Sequence, residues 1–306
     1  MGFLALVFVS MLWGSSFLII KIVAGTFDPL TIAAGRLAVA AVCMMAVAAA
    51  VGAQLPRDLG TWLWLLVLAA VGQMAPFFLL GMSGHLTSSV NMATMMAASP
   101  LCTLFLGMLF PSLREPRGLR TWLGILVGLG GVLLVLGVPA SDGAGWTDWA
   151  GKGLAGLAAA GYALGALISR RLAGRVGLTA TVAMTLTISA GVLGVVWGIT
   201  EAPGMLGSGP PEAGPLAALV LLGATNTALA YVVYYWLVRH EGATFAALHN
   251  YLVPAFGVVL GALVLGEVMA PTSLIGLAVI LAGVAIVRGV GLGPARWLSV
   301  PRPSGR

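Results

Sequence analysis

The feature that most constrains this chain is a series of ten apolar segments, each about as long as a bilayer is thick. A helix needs about 20 mainly apolar residues to cross the hydrocarbon core of a membrane. Only 8% of the residues are charged, about a third of the usual share in a soluble protein. A soluble enzyme, a nucleic-acid-binding protein and a disordered scaffold are therefore excluded. The predicted fold is an all-α polytopic membrane protein with spans at about residues 3–24, 29–51, 61–83, 87–110, 119–137, 152–170, 178–200, 215–239, 243–266 and 272–290.

Arginine and lysine residues set the predicted orientation of these spans, because cytoplasmic loops carry an excess of both. With a cytoplasmic N-terminus, twelve arginines lie in the inner loops and the tail, whereas the outer loops hold only Lys21 and Lys152. Both termini are therefore predicted to be cytoplasmic. The first segment lacks a basic region and a cleavage site, so we expect a retained helix rather than a signal peptide. Topology also explains the net charge of +6 without a nucleic-acid partner.

A weak internal repeat divides the chain into two halves. At an offset of 154 residues, Leu66–Gln73 falls on Val220–Thr227. Further matches pair residues of one type across the halves: Pro100 with Pro254, Glu115 with Glu267, Gly124 with Gly276, and Gly131 with Gly283. Each half has five spans, so the second half enters the membrane in the opposite sense, as in many secondary transporters. We expect a first repeat at 1–140, a second at 141–291 and a cytoplasmic tail at 292–306.

Motifs near the two ends of the chain are typical of one transporter family. The first two spans carry Trp13-Gly14-Ser15-Ser16-Phe17, Lys21, Asp28-Pro29 and Arg36. The last spans carry Tyr234-Tyr235-Trp236, Thr244, Pro254, Gly266-Glu267, Gly276 and Gly283. These motifs resemble the EamA-type repeat of the drug/metabolite transporter superfamily. The resemblance covers about residues 3–290 and implies a ten-helix carrier of the bacterial inner membrane, often an exporter of amino acids or related metabolites.

The predicted substrate site combines polar and aromatic side chains at similar depth in five of the spans with a methionine of span four. A polar side chain is costly in lipid and usually faces a cavity or the bundle interior. The candidates for substrate binding are Trp13, Ser16, Gln73, Met95, Tyr162, Asn226, His249 and Asn250. Two alternatives stay open: the polar groups can join helices to each other, and the methionine can fill the core.

One charged residue and two prolines within the spans also have candidate roles. Arg36 lies about seven residues inside the second span and could meet the carboxylate of a substrate. It could also pair with Asp28 or with backbone carbonyls, and we favour this structural role. Pro100 and Pro254 are the predicted hinges, because proline frees a backbone carbonyl and can kink a helix. A static kink is the alternative.

These features predict a secondary transporter that moves small metabolites, amino acids above all, outward by alternating access. The alternative is an exporter of drugs or lipophilic cations. There is no Walker A or His-Glu-x-x-His motif, and the serines of the first span do not fit a rhomboid-like protease. Cys43 and Cys102 lie inside apolar runs and indicate neither a disulfide nor a zinc site. We therefore expect no enzyme activity, cofactor or metal, and a monomer whose partners are its substrate and the bilayer.

The distribution of titratable groups bears on energy coupling. No Asp or Glu lies deep in any span, although proton- and sodium-driven carriers commonly use a buried carboxylate. Only His249 could titrate near neutral pH inside the bundle. We favour facilitated movement of the substrate over proton antiport through His249.

Overall fold

A computed structural model describes residues 1–109, 119–137, 143–207 and 211–288 of the chain. These residues form helices, and no strand occurs among them. The predicted tail at 292–306 and Glu115 lie outside the described residues. The helices are α1 (Gly2–Val23), α2 (Pro29–Ala50), α3 (Leu59–Ala69), α4 (Ala75–Leu86), α5 (Ser89–Met96), α6 (Ser99–Leu109), α7 (Leu119–Leu136), α8 (Gly143–Leu172), α9 (Leu178–Thr200), α10 (Ala202–Gly207), α11 (Ala213–Gly223), α12 (Ala230–His240), α13 (Ala243–Ala246), α14 (His249–Leu265) and α15 (Pro271–Arg288).

The predicted spans correspond to these helices, singly or in pairs. Within the described ranges, eight helical stretches are long and apolar enough to cross a membrane, and they match the first eight predicted segments. Segment nine contains the short helix α13 and the apolar helix α14, and segment ten folds as the apolar helix α15. The all-helical, membrane-type fold expected from the sequence is thus confirmed at this level.

Two of the long spans contain a π-helical turn at corresponding places. Ala70–Met74 separates α3 from α4, and Ala224–Leu229 separates α11 from α12. The second π-turn begins 154 residues after the first, which is the offset at which the two halves of the sequence align. A π-turn inserts one extra residue into a helix and is frequent at functional sites. Each of these turns carries buried polar side chains, Gln73 in the first and Asn226 with Thr227 in the second.

Spans four and nine are each broken by a short turn. Residues 97–98 separate α5 from α6, and residues 247–248 separate α13 from α14. Pro100 lies in the first turn of α6, and Pro254 lies inside α14. Their role as hinges stays a prediction.

The break in span nine has a local cause in its side chains. The ring Nδ1 of His249 lies 2.8 Å from the carbonyl oxygen of Ala246. The amide of Asn250 donates to the carbonyl of Ala247 at 3.0 Å. These side chains contact carbonyl oxygens that would accept hydrogen bonds from backbone amides in a continuous α-helix. The predicted span at 243–266 therefore forms two helices instead of one.

Helix α8 is longer than the sixth predicted span, since it begins at Gly143 rather than near residue 152. Charged residues in this stretch suggested a loop, but they pair along the helix. Lys152 lies 2.8 Å from Asp148, one turn earlier. Asp148 also accepts hydrogen bonds from Thr87 and Asn91, which tie the added turns to the start of α5.

The helices pack mainly in four pairs, α1 with α14, α2 with α9, α4 with α8, and α7 with α15. Buried apolar side chains form three clusters between them. Tyr162 packs against the first and second clusters, and Trp13 packs against the first and third. Two of the predicted site residues therefore lie where separate parts of the core meet.

Glycines allow α7 and α15 to pack with their backbones almost in contact. A Cβ atom on Gly131 would lie 2.6 Å from the amide nitrogen of Ile280 and 2.7 Å from the carbonyl oxygen of Gly276. A Cβ atom on Gly283 would lie 2.6 Å from the carbonyl oxygen of Gly124. Small residues are a usual means of helix association in lipid, where close packing replaces the hydrophobic driving force.

We predict that Gly131→Ala lowers the stability of the protein by about 1–3 kcal/mol, because the added methyl group meets backbone atoms that cannot rotate away. The matched control is Gly130→Ala on the same helix, since a Cβ atom on Gly130 meets nothing within 4 Å. Thermal unfolding of the detergent-purified variants measures the difference. Equal midpoints for the two variants would contradict the close packing of α7 against α15.

Candidate functional site

A buried arginine lies in the interior of the bundle. Arg36 on α2 is 5% exposed. Its Nε donates to the hydroxyl of Thr227 at 2.8 Å, and its Cζ lies 4.3 Å from the centre of the Phe77 ring. Within the part of the chain that the structure describes, it bonds neither Asp28 nor a backbone carbonyl, so the pairing favoured from the sequence is wrong. Asp28 instead precedes the first turn of α2, about 12 Å away along the helix.

Thr227 is held so that its oxygen faces Arg36. The Thr227 hydroxyl donates to the carbonyl of Leu222 at 3.0 Å, five residues earlier in the chain. That hydroxyl has a single hydrogen, so its oxygen remains as the acceptor for Arg36. The π-turn at Ala224–Leu229 is what brings this carbonyl and this side chain together.

Gln73 occupies the equivalent position in the other π-turn. Its amide nitrogen donates to the Thr185 hydroxyl at 2.9 Å. Thr185 donates its own hydrogen to the carbonyl of Val182, which leaves its oxygen to accept from Gln73. The amide oxygen of Gln73 is fully enclosed and has no hydrogen-bond partner. A buried acceptor left in this way costs about 1–3 kcal/mol, so the interior holds a polar atom ready to accept a hydrogen bond.

An aromatic cluster brings together two of the predicted site residues. The Trp13 ring lies 4.7 Å from the His249 ring, 5.3 Å from Tyr234 and 6.0 Å from Tyr231, measured between ring centres. Because a carbonyl only accepts, the contact of His249 with Ala246 places the ring hydrogen on Nδ1. Tyr231 also lies within electrostatic range of Arg36. The cluster thus extends from span one to the buried charge.

Two predicted polar residues take part in contacts of helix α1. The amide nitrogen of Asn226 donates to the carbonyl of Leu12 and to the Ser15 hydroxyl, the latter at 2.8 Å. Ser16 donates to the carbonyl of Leu12 within its own helix at 3.3 Å. Both side chains are buried, and Asn226 joins span eight to span one. Their role in substrate binding stays a prediction.

The other predicted residues are described by contacts of their own. The Tyr162 ring lies 5.8 Å from the Phe77 ring, beside Arg36. Met95 is 2% exposed and packs against Gly156 of α8. Asn250 bonds the chain just before α14. The predicted residues therefore have contacts of several kinds, and their common role in substrate binding stays a prediction.

Two interior residues that contact Arg36 were not among the predicted site residues. They are Phe77 and Thr227. The signal available in the sequence was the depth of Arg36 in its span. A charge at that depth requires partners, but the sequence does not show which helices supply them.

Hydrogen bonds join several helices at one end of the bundle. The ammonium group of Lys21 donates to the carbonyl of Thr87 at 2.8 Å. The carboxylate of Glu267 accepts from the Ser89 hydroxyl at 2.7 Å and from the amides of Ser89 and Val90 at 3.0 Å each. A carboxylate is favourable at a helix N-terminus, and here it ties the end of α14 to the start of α5.

Comparison with known proteins decides the family. Residues 1–137 and residues 149–289 each match the EamA-like transporter family. The chain belongs to this family. The resemblance seen in the sequence is thereby confirmed, and with it the expectation of a membrane transporter rather than an enzyme.

Individual relatives agree with this assignment. The chain is 26% identical over 299 residues to YedA of Escherichia coli, which is described as an uncharacterized inner membrane transporter. The match covers 95% of this chain and 92% of that relative. A solved crystal structure superposes with a TM-score of 0.62 at 19% identity, covering 94% of this chain and 95% of the other. That similarity shows a shared fold.

We predict that Thr227→Val destabilises the protein by about 1–3 kcal/mol, because it leaves Arg36 Nε without an acceptor in the interior. Valine has nearly the same shape as threonine, so packing is preserved. Thr187→Val is the control, since the Thr187 hydroxyl bonds only its own helix, at the Ala183 carbonyl 2.8 Å away. Thermal midpoints in detergent compare the two. A loss no larger in Thr227→Val than in Thr187→Val would mean that the contact with Arg36 is unimportant.

Proposed function

We propose that the chain is a secondary transporter of the bacterial inner membrane that exports small metabolites, amino acids above all, by alternating access. The observation that carries the proposal is that buried polar groups of the two halves meet at the π-turns. Arg36 of the first half bonds Thr227 of the second, and Gln73 of the first half bonds Thr185 of the second. Interrupted helices with polar groups between two repeats are typical of substrate sites in secondary transporters. The description of the Escherichia coli relative YedA as an inner membrane transporter supports the inner-membrane location.

The proposed topology has ten spans with both termini in the cytoplasm. Helix α14 has 17 residues and is about 25 Å long, close to the thickness of the hydrocarbon core. We infer that α14 and α15 complete the ten spans. The distribution of arginines supports cytoplasmic termini, and the ends of the bundle agree with it. Arg171 packs on Trp64 at the inner end, whereas Lys21 and Lys152 lie at the opposite end.

We further propose that residues 1–140 and 141–291 are inverted repeats. The two matches to the family support this division, as does the spacing of the π-turns. A third support is a pair of close contacts, of Gly131 with Gly276 and of Gly124 with Gly283. In the aligned halves, Gly131 corresponds to Gly283 and Gly276 corresponds to Gly124, so the two contacts are equivalent. A two-fold relation between the halves requires equivalent contacts of this kind.

The proposed mechanism needs one end of the bundle to open while the other closes. The bonds of Lys21 and Glu267 hold the end that the proposed topology assigns to the periplasm. Release of a substrate outward would require these bonds to break as the halves rock. If the two halves have the same structure in opposite orientations, the same rocking motion can open either end of the bundle.

We predict that the purified protein in liposomes exchanges labelled amino acids in counterflow. Trp13→Ala should lower the exchange about tenfold, the effect of losing one large aromatic contact. Trp122→Ala is the control, because Trp122 is 45% exposed on the outer face of α7. Absence of exchange for every standard amino acid would reject amino acids as substrates.

We also predict that the exchange does not depend on a pH gradient, because the described spans hold no carboxylate in the interior. Counterflow is measured first at equal pH and then with an imposed gradient. His249→Ala is compared with His85→Ala, since His85 makes a similar ring contact, to Gly81 at 2.9 Å, near a helix end. Accumulation that follows the gradient and disappears only in His249→Ala would instead establish proton coupling through His249.

A further inference from the structure

The guanidinium of Arg36 has donors that the described protein does not use. A guanidinium carries five N–H donors, and only the one on Nε has an acceptor, the Thr227 hydroxyl. The terminal nitrogens bond nothing among the described residues. They are not fully enclosed either, so they keep some accessible surface although the side chain is only 5% exposed.

No carboxylate balances this charge in the described bundle. The acidic residues there lie at helix ends, as Asp28 does before α2 and Glu201 does after α9. The one ion pair found in these ranges joins Lys152 to Asp148, near the start of α8. Arginine stays protonated in proteins, so the positive charge persists in the apolar interior. A charge in that position is costly unless an anion meets it.

We propose that Arg36 binds the carboxylate of the transported solute through its terminal nitrogens. This inference rests on the proposed transport function and names its substrate class as small carboxylates, either anionic or zwitterionic. The planar guanidinium matches a carboxylate with two parallel hydrogen bonds. A lipophilic cation would meet an unbalanced positive charge at the same place. The site thus selects against the cationic class of solute.

The surroundings of Arg36 fix how it presents these donors. Thr227 accepts from Nε, and the guanidinium carbon lies over the Phe77 ring at 4.3 Å from its centre. Both contacts leave the terminal nitrogens as the free edge. Tyr162 and Tyr231 lie within electrostatic range, and Tyr231 continues to Trp13 at 6.0 Å. A solute anchored at Arg36 would therefore extend along aromatic faces, which also suit an ammonium group.

The test measures binding without transport. Thermal midpoints of the detergent-purified protein are recorded in four solutes at equal ionic strength: sodium isocaproate, L-leucine, isoamylammonium chloride and sodium chloride. The first three share one branched carbon skeleton and differ in charge. We expect isocaproate and leucine to raise the midpoint, since a ligand that binds only the folded state stabilises it. Isoamylammonium and chloride should not.

The variants assign the effect to Arg36. Arg36→Gln should weaken the apparent affinity for isocaproate about ten- to a hundredfold, as expected for hydrogen bonds to a charged group. Arg36→Lys keeps the charge without the planar fork and should bind with intermediate affinity. Arg36→Lys also provides the test of carboxylate binding if Arg36→Gln does not fold. Arg171→Gln is the matched control, because Arg171 packs on Trp64 at 4.6 Å but lies exposed at a helix end, and its affinity should equal that of the wild type.

Three results would overturn the inference. They are an isocaproate effect that is unchanged in Arg36→Gln and Arg36→Lys, an equal effect of sodium chloride or isoamylammonium chloride, and no effect of either carboxylate. Transport measurements distinguish a failure of the proposed Arg36 site from a failure of the proposed transport function. Carboxylate binding through Arg36 without any counterflow would remove the transport function and keep the site. Leucine counterflow with the same KM in Arg36→Gln would keep the function and remove the site.

Discussion

A bilayer offers no water to the backbone, and this single constraint explains how polar side chains are used here. Every interruption of a helix frees carbonyl groups, which must find donors within the protein. At the π-turn of span eight, the Thr227 hydroxyl bonds the Leu222 carbonyl. At the break of span nine, His249 contacts the Ala246 carbonyl and Asn250 donates to the Ala247 carbonyl. Thr227, His249 and Asn250 therefore provide hydrogen-bond partners for backbone carbonyls where the helices are interrupted.

The side chain that bonds the freed backbone carbonyl in span eight also positions the buried charge of Arg36. Thr227 satisfies a carbonyl of the second half and, with the remaining lone pairs of its oxygen, holds Arg36 of the first half. Arg36 contacts Phe77 on a third helix, so one guanidinium relates three helices. A movement of the halves relative to each other would change this contact directly. The charge is thus placed where motion of the protein and binding of an anion would influence one another.

The sequence predicts the parts of this structure that depend on local composition. Apolar length predicts the spans, because it depends on residues near each other in the chain. The partners of Arg36 could not be predicted, since Thr227 is 191 residues away. The break before His249 was missed for another reason. Its side-chain bonds compete with a helix that composition alone would make continuous.

The seam between α7 and α15 has a consequence for how the protein is made. These helices are the last spans of the two halves, and each presents glycines that only the other covers at backbone distance. During synthesis, α7 enters the membrane long before α15 exists. Its glycine face therefore has no close backbone partner until α15 has been synthesised. Synthesis of α15, rather than of the first half alone, is the step at which the seam between the two helices can form.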